Sequence, residues 1–120
     1  MRQWMMLALL FGLLGFGSFP KAWADGKDVT VQGEVIDTFC YLTMGAKGAS
    51  HKTCGMECAR KGSPVGLLEE GTGKLYTLLP EKDKTSLPDS VVSKMGETAV
   101  VTGDAYSQGG SQYLRVEKVS

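Results

Sequence analysis

Hydrophobic and polar residues alternate along separate stretches of the chain, and this pattern predicts β-strands. In the first stretch, residues 29–36, Val29, Val31 and Val35 would share one buried face. Gly33 interrupts that face and predicts a bend or bulge, because glycine has no side chain to pack. Four further strands are predicted over residues 65–68, 74–79, 97–106 and 112–119.

Two helices are predicted between these strands. One lies in an insertion, residues 40–62, that separates the first and second strands. Ser50 is suited to cap this helix, His51 would be its first helical residue, and Gly62 would end it. A second, shorter helix is predicted over residues 88–95, between the third and fourth strands. The sequence therefore predicts a mainly β protein with two helical segments.

The order of these elements is typical of the OB-fold, a small five-stranded Greek-key barrel. Three segments resemble those of exported bacterial OB-fold proteins, namely residues 31–35 (VQGEV), 73–76 (GKLY) and 96–103 (GETAVVTG). The resemblance covers most of residues 29–119 and implies a five-stranded OB-like barrel. It implies no particular ligand, because one fold hosts many functions. The cysteine-rich insertion departs from the family pattern.

The N-terminal segment, residues 1–24, has the features of a cleaved secretory signal peptide. Arg2 provides a positive start, an apolar run follows, and residues 22–24 form an Ala-Trp-Ala cleavage site. The apolar run falls short of the roughly 20 residues that a membrane-spanning helix needs, so retention as an anchor is the less favoured alternative. We expect a single mature domain, residues 25–120, in the bacterial periplasm or secreted, with no membrane attachment after cleavage.

The charge balance argues against nucleic acid as a partner. The whole chain carries 13 basic and 13 acidic residues. Arg2 and Lys21 are lost with the predicted signal peptide, which leaves 11 basic against 13 acidic residues and a net charge of −2. Nucleic-acid binding depends on clustered Lys and Arg side chains that contact phosphates.

The strongest chemical signal is a cluster of three cysteines and the single histidine: Cys40, His51, Cys54 and Cys58. Their spacing is C-x10-H-x2-C-x3-C. On the predicted helix, the last three would stand at i, i+3 and i+7 and share one face. A loop containing glycines would bring Cys40 over that face. The spacing therefore predicts a four-ligand Cys3His metal site.

Zinc is the first expectation for this site, because Cys3His is an established structural zinc set. Copper(I) is the second, because soft sulfur ligands select it and two methionines, Met44 and Met56, lie close in sequence. Asp37 is a candidate acceptor for a hydrogen bond from the ligating His51. Four protein ligands imply a closed site, which favours metal storage, delivery or structural pinning over enzymatic turnover.

Other interpretations of the cluster remain open. In an oxidising compartment, Cys40 could instead form a disulfide with Cys54 or Cys58 and leave one free thiol. The protein would then be a disulfide-stabilised binding module for a peptide, a glycan or an unidentified envelope partner. A catalytic pair of His51 and Cys54 is less favoured, since the sequence shows no evident orienting acid or oxyanion hole.

Overall fold

A computed structural model describes residues 26–120, and five β-strands form the framework of this part of the chain. The strands are β1 (Lys27–Asp37), β2 (Val65–Glu69), β3 (Leu75–Leu79), β4 (Thr98–Gln108) and β5 (Ser111–Val119). Each of the five corresponds to a strand predicted from the alternating pattern. The predicted signal peptide, residues 1–24, lies outside the described residues.

The strands close into a barrel in the order β1-β2-β3-β5-β4, with β4 returning to β1. Neighbouring strands are antiparallel, except that β3 and β5 run parallel. The prediction of a small OB-like Greek-key barrel is therefore confirmed. Closure leaves no unpaired sheet edge and gives the short chain one enclosed core.

The first strand is shared between two neighbours and so closes the barrel. Its first part pairs with β4 and its last part with β2, and Gly33 is paired on both sides. A Cβ atom at Gly33 would lie 2.3 Å from the backbone oxygen of Leu68. Close backbone approach is therefore the physical reason for glycine at this position.

The barrel interior is filled by side chains that alternate inward from the strands, together with Val91 and Met95 from the connection between β3 and β4. The strand residues of this core are Val31, Val35, Val65, Leu67, Tyr76, Leu78, Ala99, Val101, Leu114 and Val116. Met56 and Ala59 of the insertion pack against the same core from outside. The insertion is thus part of the domain's hydrophobic packing.

Three short helices connect the strands: α1 (Thr38–Met44), α2 (Lys52–Arg60) and α3 (Asp89–Val92). The predicted helices correspond to α2 and α3, but α3 is shorter than expected. Helix α1 was not predicted, and Cys40 lies in this helix rather than at the end of the first strand, where it was expected. None of the helices in residues 26–120 has the length and hydropathy needed to cross a membrane.

The predicted start of α2 is wrong in detail. Ser50 does not cap it; residues Ala49–His51 form a 3-10 turn, and His51 occupies the N-cap position without a side-chain cap. Gly48, with φ of 86°, sets the start of that turn, because a left-handed backbone favours glycine. His51 therefore stands at the N-cap of α2 and is not the first helical residue that the sequence predicted.

A single lysine fastens the start of α2 to the barrel. The Lys52 ammonium donates a hydrogen bond of 2.6 Å to the backbone oxygen of Ser93 and forms a salt bridge with Glu97. The hydrogen bond and the positive charge of Lys52 lower the pKa of the Glu97 carboxyl below its usual range. These two contacts hold Lys52, the neighbour of His51 in the chain, against the segment that joins α3 to β4.

A methyl group at Gly103 should destabilise the barrel. A Cβ atom there would lie 1.9 Å from the backbone oxygen of Arg115, at a register shift between β4 and β5. We expect Gly103→Ala to lower the free energy of unfolding by about 1–3 kcal/mol, the usual cost of overpacking. Urea denaturation measures this change in stability, and Ser111→Ala, at an exposed position of β5, is the control. Equal stability of the two variants would contradict the close approach.

Candidate metal centre

A buried carboxylate lies where the barrel meets the insertion. Asp37 ends β1, is fully buried, and caps α1 by accepting a hydrogen bond from the Phe39 N–H at 3.3 Å. The Ser63 hydroxyl donates a second hydrogen bond, of 2.5 Å, to the same oxygen, Oδ1. The Thr38 N–H donates to the Pro64 oxygen at 2.9 Å, so both ends of the insertion are tied together beside this carboxylate.

Helix α1 turns Cys40 inward immediately after Asp37. The helix ends at Gly45, whose φ of 68° lies in the left-handed region that favours glycine. Cys40 is the buried residue of this helix, with 5% of its surface exposed. Since the cap and the cysteine are three positions apart, the Asp37 carboxylate and the Cys40 thiol lie in the same turn.

His51 reaches the same place from the opposite side of the insertion. The backbone N–H of His51 donates to the Gly48 oxygen at 3.0 Å. The backbone N–H of Gly48 in turn donates to the Glu34 carboxylate of β1 at 3.0 Å. A Cβ atom on Gly55 would lie 2.8 Å from the Met95 sulfur and 3.4 Å from Cδ2 of His51. The absence of a side chain at Gly55 therefore lets α2 pack closely against Met95, with the imidazole alongside.

Three potential ligand atoms converge at this junction. One carboxylate oxygen of Asp37, the sulfur of Cys40 and one ring nitrogen of His51 all lie within 4.8 Å of one another. Two nearby polar atoms, Oδ2 of Asp37 and Nε2 of His51, are buried and have no hydrogen-bond partner. Buried polar groups are nearly always satisfied, so these two atoms indicate a missing partner.

Asp37 and Cys40 perturb each other's ionisation. Burial alone would raise the pKa of Asp37, but the neighbouring Cys40 thiol, the hydrogen bonds from Ser63 and the Phe39 N–H, and the Cys58 thiol outweigh it and lower the pKa below its usual range. The adjacent Asp37 carboxylate, through its acceptor oxygens and its negative charge, together with burial, raises the pKa of the Cys40 thiol to about 12. In the absence of a cation, the Asp37 carboxylate is therefore easily ionised, whereas ionisation of the neighbouring Cys40 thiol is disfavoured.

The other two predicted ligands lie outside this group of three. Cys54 is exposed and Cys58 is partly buried, and all three cysteines are free thiols. Burial raises the pKa of Cys58, and the nearby Asp37 and Cys54 raise it further. The structure thus brings Cys40 and His51 together as predicted and adds Asp37. Ligation by Cys54 and Cys58 stays a prediction.

Asp37 is the residue whose place in the group sequence reasoning missed, since it was expected only to support His51. The signal was present in the alternation of β1, where Asp37 falls in the same register as Val31 and Val35 and so points inward. Of the methionines considered for copper, Met44 is 66% exposed, whereas Met56 packs against the hydrophobic core.

The comparisons with known proteins add no relative. No family model, no curated protein and no solved structure matches the chain. The function is therefore argued from the chemistry of the site.

The substitution Gly55→Ala should displace α2, the helix that begins directly after His51. In most helices this change stabilises the protein by about 1 kcal/mol, because alanine has the higher helix propensity. Here the added methyl group would clash with Met95, so we expect a loss of stability of about 1–3 kcal/mol. Urea denaturation tests the sign, with the exposed Thr53→Ala of the same helix as control. A more stable Gly55→Ala variant would contradict the packing.

The three thiols should react with iodoacetamide in the order of their exposure. The thiolate is the reactive form, and with a pKa of about 12 only on the order of one Cys40 thiol in ten thousand is ionised at pH 8. We expect Cys54 to be alkylated first and Cys40 last in the reduced, metal-free protein. Peptide mass spectrometry over time measures this. The control in urea should remove the difference, and rapid labelling of Cys40 in the folded protein would refute the arrangement.

Proposed function

We propose that this chain is an exported metal-binding protein of the bacterial envelope. It holds one ion through Asp37, Cys40 and His51, and Cys58 completes the set from the neighbouring turn of α2. Its role is metal storage, metal delivery or pinning of the insertion to the barrel. It is not an enzyme in this proposal, because four protein ligands leave no open position for a substrate.

The observation that carries the proposal is the pair of unsatisfied atoms at the centre. A carboxylate oxygen and an imidazole nitrogen are buried without partners, beside three potential ligand atoms that lie within 4.8 Å of one another. Leaving such groups unpaired costs about 1–3 kcal/mol each. A cation bound between them would satisfy both atoms at once and offset the charge of the carboxylate.

The chemistry of Cys40 also favours a metal over a catalytic nucleophile. A nucleophilic cysteine requires a lowered pKa, whereas Asp37 and burial raise that of Cys40 to about 12. A bound cation has the opposite effect, since it deprotonates a coordinating thiol. The same carboxylate that makes Cys40 unreactive as a free thiol makes the pair attractive to a positive ion.

The donor set favours zinc, with copper(I) as the second candidate. Zinc accepts carboxylate, thiolate and imidazole ligands in a tetrahedral arrangement, which matches Asp37, Cys40, His51 and Cys58. Copper(I) prefers soft sulfur ligands and gains little from a carboxylate. The presence of Asp37 within the group therefore strengthens the preference for zinc that the cysteines and histidine suggest.

Removal of a proposed central ligand should abolish tight zinc binding. We expect Cys40→Ser and Asp37→Asn to weaken zinc affinity by at least about 100-fold and to remove the rise in melting temperature on zinc addition, because metal binding is coupled to folding. Isothermal titration and thermal unfolding of the reduced protein measure both. Asp28→Asn, an exposed acid on the same strand, is the matched control.

Thiol counting separates the metal proposal from the disulfide alternative. A metal site predicts three thiols that react fully only after chelation of the ion. A disulfide-stabilised binding module predicts one reactive thiol both before and after. Native and denaturing mass spectrometry of protein purified from the periplasm reports bound metal, disulfide content and signal cleavage together. One disulfide and no metal would overturn the proposal.

A further inference from the structure

The three thiols near the centre form a gradient of exposure. Cys54 is exposed, Cys58 is partly buried and Cys40 is buried. The inner donors are closed to solvent: Asp37 is fully buried, and Nε2 of His51 is also buried. An ion arriving from solution therefore meets a sulfur at the surface before it can reach the inner ligands.

The two thiols of α2 are close enough to share an ion. Cys54 and Cys58 stand at i and i+4 of one helix, where side chains are neighbours on the same face. Both cysteines lie near enough to Cys40 to contribute to its raised pKa, so the three sulfurs belong to one neighbourhood. The structure thus places an exposed thiol (Cys54), a partly buried thiol (Cys58) and a buried thiol (Cys40) near one another.

We propose that Cys54 is the receiving thiol of the metal centre: it takes the ion from a donor in solution and passes it to Cys58 and then to the buried group of Asp37, Cys40 and His51. This inference rests on the proposed metal-binding function and extends it to how the ion enters and leaves. It assigns Cys54 a transient contact with the metal, distinct from the permanent ligation expected from the spacing.

The transfer is a series of ligand exchanges without redox change. As the bond between zinc and the donor breaks, a bond to the Cys54 sulfur forms and the thiol proton passes to solvent. The Cys58 sulfur then binds the same ion and releases its proton. Asp37, Cys40 and His51 bind next, and the proton of the Cys40 thiol also passes to solvent. The Cys54–zinc bond breaks last, and Cys54 takes up a proton again. Zinc remains divalent throughout.

Transfer kinetics test this assignment, with zinc and a coloured zinc chelator as the probes. A transient ligand lowers the barrier in both directions, so its loss slows uptake and release by the same factor. We expect Cys54→Ser to slow both by at least about tenfold, equivalent to about 1.4 kcal/mol of barrier, with the zinc dissociation constant changed less than about threefold. Thr53→Ser, the exposed neighbour on α2, is the matched control. Stopped-flow absorbance under reducing conditions gives the rates.

The other outcomes are distinct. If Cys54→Ser weakens zinc binding as strongly as Cys40→Ser, then Cys54 is a permanent ligand and the receiving role is overturned. Unchanged uptake and release rates in Cys54→Ser would overturn it as well, because the ion would then enter by another path. If the wild-type protein binds no zinc, or if Cys40→Ser leaves its affinity intact, the proposed function itself fails.

Discussion

Burial of the Asp37 carboxylate at the end of β1 is the constraint on which the site depends. A buried charge is costly unless hydrogen bonds or an opposite charge compensate it. One oxygen is satisfied by Ser63 and by the first turn of α1, and these bonds hold the two ends of the insertion together. The other oxygen has no hydrogen-bond partner, and the carboxylate lies within 4.8 Å of potential ligand atoms of Cys40 and His51. The same residue therefore closes the insertion and belongs to the group of three potential metal ligands.

The barrel determines where the insertion can place its histidine. Close contacts at three points fix the segment around His51: Lys52 bonds to the Ser93 oxygen, Gly55 packs on Met95, and a Cβ atom on Gly96 would lie 2.5 Å from the Gly48 oxygen. All three involve the connection between β3 and β4. A rigid scaffold outside the insertion thus preorganises the imidazole, as metal sites require.

The fold was largely predictable, and the site only in part. The five strands alternate with period two, so their existence and order could be derived from local pattern. Helix α1 could not, because Phe39, Leu42 and Met44 are exposed and give it no buried face of helical period. It forms because Asp37 caps it and Thr38 bonds to Pro64.

The amino-acid sequence alone determined the OB-like barrel and the clustering of cysteines with the single histidine, because both depend on residue types at short spacing. Tertiary structure decided which donors meet. His51 stands in a 3-10 turn that precedes α2, and the end of β1 contributes Asp37 to the group with Cys40 and His51. Convergence of atoms from a strand, a short helix and a turn depends on long-range packing, which local spacing does not encode.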